Sequence, residues 1–186
     1  GALAGGGAVK AILVPDGAER LSRKEIDKLT EFVKTYRAKG LAYTRLTPEK
    51  ETSSFEKFLS EEEKNALRQR VGAKTGDVIL IVADANKQVV YDSLGAVRCE
   101  LAIRLSLIDE SKFDLLWVTD FPQFEYSEEE DRYVAKHHPF TCPRLSDVDK
   151  LKTDPAAGHA LAYDMVLNGC EVGGGSIRIN DPGLQE

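Results

Sequence analysis

The chain has 186 residues, room for one domain or a small domain with an extension. Hydrophobic residues make up 42% and charged residues 30%, the balance of an ordinary soluble globular chain. A formal charge of −6 argues against nucleic-acid binding by bulk attraction, although it leaves room for a local basic face. No apolar run is long enough to span a membrane, and no basic n-region precedes an apolar core as in a signal peptide. The opening GALAGGGAVK reads as a cut end or linker remnant. Cys99, Cys142 and Cys170 are odd in number and lack metal-ligand spacing, which predicts reduced thiols in the cytoplasm.

Ala8–Val14 reads as a strand closed by the turn Pro15-Asp16-Gly17. The capping box Ser22-Arg23-Lys24-Glu25 opens a helix, followed by Ile26, Leu29, Val33 and Tyr36 at helical spacing and stopped by Gly40. Its Lys24, Lys28, Lys34, Arg37 and Lys39 form a solvated face, with a nucleic-acid contact as the alternative. Leu41–Leu46 reads as a short strand, and Thr47–Ser60 as loop tacked down by Phe55 and Phe58. A second capping box, Ser60–Glu63, begins a helix to about Val71. Asp77–Ala83 is nearly all apolar, as expected of a strand covered on both faces. After the turn at Asp84–Asn86 comes the longest helix, Lys87–Leu107, with Leu94, Val97, Leu101, Leu105 and Ile108 as its buried stripe. This is an α+β or α/β unit.

The character changes near Leu115. Leu115–Thr119 is a strong strand, Ser127–Asp131 an acidic turn tip, and Tyr133–Lys136 the return of a hairpin that delivers His137-His138-Pro139-Phe140. Only His159 and Cys142 could join the histidine pair as zinc ligands, which is too little for a zinc site. Leu145–Leu151 is a short polar helix or loop.

The most informative stretch is Leu161–Ile179. Asn168-Gly169 is the dipeptide best suited to a two-residue type I′ hairpin turn. That turn sets Val166 opposite Glu171 and Asp164 opposite Gly173, so Asp164 and Glu171 share one face as diagonal neighbours. Two such carboxylates repel unless one is protonated or a cation sits between them, and Mg²⁺ accepts a carboxylate pair together with waters and phosphate oxygens. Strict alternation would turn Arg178 away from them. A bulge within Gly173-Gly174-Gly175 brings Arg178 to the acidic face and leaves a bare glycine floor for a ligand. A surface hairpin with a cross-strand ion pair is the alternative reading of the same residues.

LLWVTDFPQFEYSEEEDRYVAKHHPFTCP and AYDMVLNGCEVGGGSIRI closely resemble the bacterial-type aspartyl-tRNA synthetases. AKGLAYTRL and DSLGAVRCELAIRL, within Ala8–Leu115, resemble the GAD insertion domain of those enzymes, which a subunit family of tRNA-dependent amidotransferases shares. The resemblance implies an α+β fold: a two-layer GAD domain over 8–114, then the antiparallel strands of a partial class II catalytic domain over 115–186. It also implies activation of L-aspartate with Mg²⁺ and ATP, transfer to tRNA(Asp), and a homodimeric cytoplasmic enzyme with no membrane or DNA partner. By resemblance His137 and Arg178 contact the substrate aspartate, Asp164 and Glu171 hold Mg²⁺, and Glu171 also serves ATP. His138 and Gly173, Gly174 and Gly175 support the pocket.

Several family features do not occur in these 186 residues. The three class II motifs and the anticodon-binding barrel are missing, so the isolated chain is expected to be inactive. A second reading is a non-catalytic GAD module that binds tRNA or a protein partner, although such a module has no need of Asp164, Glu171 and Arg178 in one hairpin.

Overall fold

In the computed structural model, which describes residues 2–185, the backbone forms two units that part after Asp109. The first runs β1 (Ala8–Val14), α1 (Gly17–Arg20), α2 (Arg23–Lys34), β2 (Ala42–Leu46), β3 (Glu51–Ser53), α3 (Glu61–Val71), β4 (Val78–Asp84) and α4 (Lys87–Arg104). Its strands form one antiparallel sheet in the order β1-β4-β2-β3. Alternation sends Val14, Val78, Leu80 and Val82 to one face, where Ile26, Leu29 and Val33 of α2 and Val90, Val97 and Leu101 of α4 close the core. On the other face Leu67 and Val71 of α3 approach Val9, Leu13 and Ile81. Cover on both sides explains the unbroken apolar run of β4.

Both expected capping boxes form, Ser22 with Glu25 and Ser60 with Glu63, each side chain reaching the other residue's backbone amide. The lysines of α2 are exposed and Lys34 pairs with Glu31, a solvated face. Three boundaries differ from the sequence reading. Helix α2 stops at Lys34 and not at Gly40, because Arg37 takes a left-handed φ of 69° and turns the chain there. Helix α4 stops at Arg104, with Ser106 at φ 52°, so Ile108 is exposed and does not join the stripe. The stretch 47–60 holds β3 and a 3-10 turn, and Phe58 lies 77% exposed. What pins that stretch is Glu56, buried and bonded to Thr44 and Arg68.

The second unit contains β5 (Leu115–Val118), the hairpin β6 (Phe124–Ser127) and β7 (Arg132–Ala135), a one-turn α5 (Val148–Leu151), β8 (Ala162–Leu167) and β9 (Cys170–Ser176). Strands β5, β8 and β9 form an antiparallel sheet in that order, and among the described residues β6 pairs with β7 alone. The turn between β8 and β9 has φ 48° at Asn168 and 84° at Gly169, both left-handed as a type I′ turn requires. Asn168 has a second task. Its Oδ1 accepts from the Asp114 amide at 2.8 Å and its Nδ2 donates to the Lys112 carbonyl at 2.9 Å, tying the hairpin tip to the chain entering β5. Among the described residues no helix is long and apolar enough to cross a membrane.

Candidate active site on the β8–β9 hairpin

The register of the hairpin decides which side chains meet. Leu167 pairs with Cys170 and Val166 with Glu171, as the turn dictates. The register then shifts, so that Met165 faces Gly173 and Asp164 faces Gly174. The bulge therefore falls at Val172 and not inside the three glycines, and Asp164 opposes Gly174 instead of Gly173. The parity outcome is the one the glycines were expected to give. Ala162, Asp164 and Val166 share a face with Glu171, Gly174 and Ser176, and continued alternation reaches Arg178. Tyr163, Met165 and Leu167 occupy the reverse side, where the Trp117 ring stands edge-on to Tyr163 at 5.9 Å.

Gly174 is the floor on which the two carboxylates converge. A methyl group there would lie 2.3 Å from Asp164 Oδ1 and 3.2 Å from Glu171 Oε1. At Gly173 it would meet nothing within 4 Å, and at Gly175 it would meet the Tyr163 hydroxyl at 3.0 Å on the reverse side. One glycine of the three thus serves the acidic pair. Two carboxylates beside bare backbone fit Mg²⁺, which keeps several waters and takes phosphate oxygens. Among the described residues no group of three or more His, Cys, Asp or Glu side chains could hold a metal by itself.

Beyond β9 the chain gains a new neighbour. The Cys142 amide donates to the Ile177 carbonyl, the Ile179 amide to Phe140, and the Leu161 amide to Cys142. Thr141 and Arg178 face each other across this bridge, which is how the loop carrying the histidine pair reaches the end of the hairpin. Arg178 is exposed and its guanidinium makes no ion pair among the described residues. His138 is occupied within its loop, its Nδ1 accepting from the Phe140 amide at 3.2 Å. His137 is different. Its ring stands edge-on to Phe121 at 5.0 Å, and its Nε2 is shielded from solvent without a hydrogen-bond partner among the described residues.

An ion cluster nearby was not legible in the sequence, because the two residues that pair are twelve positions apart in a loop without periodicity. Asp147 is 3% exposed and accepts from Lys150 Nζ at 2.9 Å, from His159 Nδ1 at 2.9 Å and from the His159 amide. Those bonds, Lys150 first and His159 next, hold the Asp147 carboxyl far below the usual carboxylate range despite its burial. A carboxyl depressed in the folded state stabilises above its unfolded pKa, and that contribution is lost as pH falls through the folded value. The second unit should therefore lose urea resistance below about pH 4. Asp147→Asn should flatten this acid limb and lower stability at neutral pH, read as unfolding midpoints across the acid range.

The chain is similar to known proteins over its whole length. Aspartate–tRNA ligase of Clostridium beijerinckii is 53% identical over 186 residues, covering 100% of this chain and 31% of the relative. The aspartate–tRNA(Asp/Asn) ligase of Anoxybacillus flavithermus is 52% identical over 185 residues, and that of Caldanaerobacter subterraneus 51% over 185, with the same shares covered. The chain thus spans about a third of the length of the curated relatives it matches. The family model of the GAD domain matches residues 1–94, a range that takes in the four-stranded sheet, α2, α3 and the first two turns of α4, and the chain belongs to the GAD domain family.

Proposed function

We propose that these residues form part of an aspartate–tRNA ligase, contributing a GAD module and a portion of the catalytic sheet. The enzyme activates L-aspartate with ATP to aspartyl-adenylate and transfers aspartate to tRNA(Asp), in the cytoplasm and as a homodimer. The observation that carries this reading is the convergence of Asp164 and Glu171 over Gly174. Nothing in a free-standing binding module calls for it, and the named relatives are ligases of this type.

In this reading Asp164 and Glu171 are the residues that would hold Mg²⁺, with Glu171 also serving ATP. The bound ion would offset charge building on the α-phosphate as a substrate carboxylate attacks it and pyrophosphate leaves. The Arg178 guanidinium receives the side-chain carboxylate of aspartate in a bidentate grip, which an asparagine amide cannot match. His137 offers an imidazole to the same substrate, and the glycine floor lets the ligand lie against backbone.

The test is a graft. The 186 residues replace the matching stretch of the full-length Clostridium beijerinckii relative, and ATP–pyrophosphate exchange is followed with aspartate or asparagine. The graft should exchange with aspartate only, and the 186 residues alone should not exchange at all. Exchange indifferent to the amino acid, or exchange by the short chain alone, would refute the proposal.

A further inference from the structure

Three histidines lie in the second unit, and the structure holds each differently. His159 is fixed by a hydrogen bond to Asp147, and His138 by one to the Phe140 amide. The His137 ring makes no hydrogen bond among the described residues. Its orientation comes from the edge-on contact with Phe121, at an interplanar angle of 71°. Fixing an imidazole through an aromatic contact spends neither ring nitrogen, whereas a hydrogen bond would consume one, and the nitrogen left outside the solvent-shielded Nε2 is the one a ligand reaches first.

Phe121 is itself held from several directions. Asp120, just before it, takes a left-handed φ of 60°, a conformation aspartate tolerates better than most residues, and pairs with Arg144. The Phe121 carbonyl accepts from the Ala160 amide at 2.7 Å, and Pro122, which follows, bridges to His159. The backbone on both sides of the ring is thus constrained.

We infer that Phe121 is a positioning residue: its ring sets the angle at which His137 presents a free nitrogen to the amino-acid substrate. This rests on the reading of His137 as an aspartate contact. Loss of the ring leaves the imidazole to sample other rotamers, which weakens amino-acid binding while the phosphate-handling carboxylates stay in place.

The experiment uses the same graft with Phe121→Leu, Phe121→Tyr and His137→Ala, measuring KM and kcat separately for aspartate and ATP. Phe121→Leu should raise KM for aspartate about fivefold to tenfold with kcat and the KM for ATP little changed, and Phe121→Tyr should restore it. If Phe121→Leu has no effect while His137→Ala raises KM for aspartate, the positioning role is wrong and the site reading stands. A loss of kcat together with both KM values, not rescued by tyrosine, would make Phe121 merely structural and likewise overturn the inference. If His137→Ala leaves the KM for aspartate unchanged, the reading of the site fails and takes this inference with it.

Discussion

Gly174→Ala should cost the grafted ligase at least about 100-fold in aspartate-dependent ATP–pyrophosphate exchange, the loss that a displacement of about 1 Å produces in a positioned site. The added methyl would sit 2.3 Å from Asp164 Oδ1 and 3.2 Å from Glu171 Oε1, so the Asp164 carboxylate must turn aside and Glu171 must give by a few tenths of an ångström, which separates the pair. Backbone strain is not the cause, because Gly174 is absent from the positive-φ glycines, and alanine in an ordinary strand is less costly than glycine. The neighbouring glycines supply the controls. Gly173→Ala meets open space and should leave exchange close to that of the parent graft. Gly175→Ala meets the Tyr163 ring at 3.0–3.2 Å on the reverse face and should give an intermediate loss, since the ring must yield by a few tenths of an ångström. Three equal losses would show that the glycines act through chain flexibility and would remove the argument for a floor.

The largest stability effect is expected in the first unit, at Arg68. Its Nη1 and Nη2 grip Glu51 at 3.0 and 2.8 Å, and Nη2 reaches Glu56 Oε2 at 3.0 Å. Glu56 is 6% exposed, and its other oxygen accepts from the fully buried Thr44 at 2.8 Å. Arg68→Ala strands that carboxylate in the interior, a change that costs about 3–5 kcal/mol. Set against the 5–15 kcal/mol that usually separates folded from unfolded states, this removes a large share of the total stability. The exposed Lys34–Glu31 pair gives the contrast, for its removal should cost less than about 1 kcal/mol. Arg68→Met combined with Glu56→Gln should be milder than Arg68→Ala alone, because the only charge then left unpaired is that of the exposed Glu51. Urea unfolding of the variants decides the matter, and equal effects at Arg68 and Lys34 would show that the buried charge is not what matters.

The elements that local chemistry specifies were readable from the residues. Ser22 and Ser60 start helices because a hydroxyl and a glutamate three positions on satisfy orphan amides, and Asn168-Gly169 turns a hairpin because both residues tolerate positive φ. The common face of Asp164 and Glu171 followed from that turn. The bulge was a different kind of problem. Its effect on parity was deducible, since Arg178 had to come round, but its site at Val172 reflects cross-strand pairing with Met165 and Val166 that no single strand encodes. Likewise Glu56 fell within the stretch Thr47–Ser60, read as loop tacked down by Phe55 and Phe58. The burial is reversed because Arg68, twelve residues on, makes a buried carboxylate tolerable. The Asp147–His159 and Phe121–His137 pairs lay beyond reach for the same reason, as each depends on segments that only the fold brings together.

Trp117 is the chain's single tryptophan and lies in the second unit, 62% exposed and edge-on to Tyr163. The long helices α2, α3 and α4 all lie in the first. Indole emission therefore follows the hairpin sheet, while far-ultraviolet circular dichroism is dominated by the GAD helices. Two optical signals from one unlabelled sample thus give separate melting curves for the two units, and any gap between those curves measures how independently they unfold.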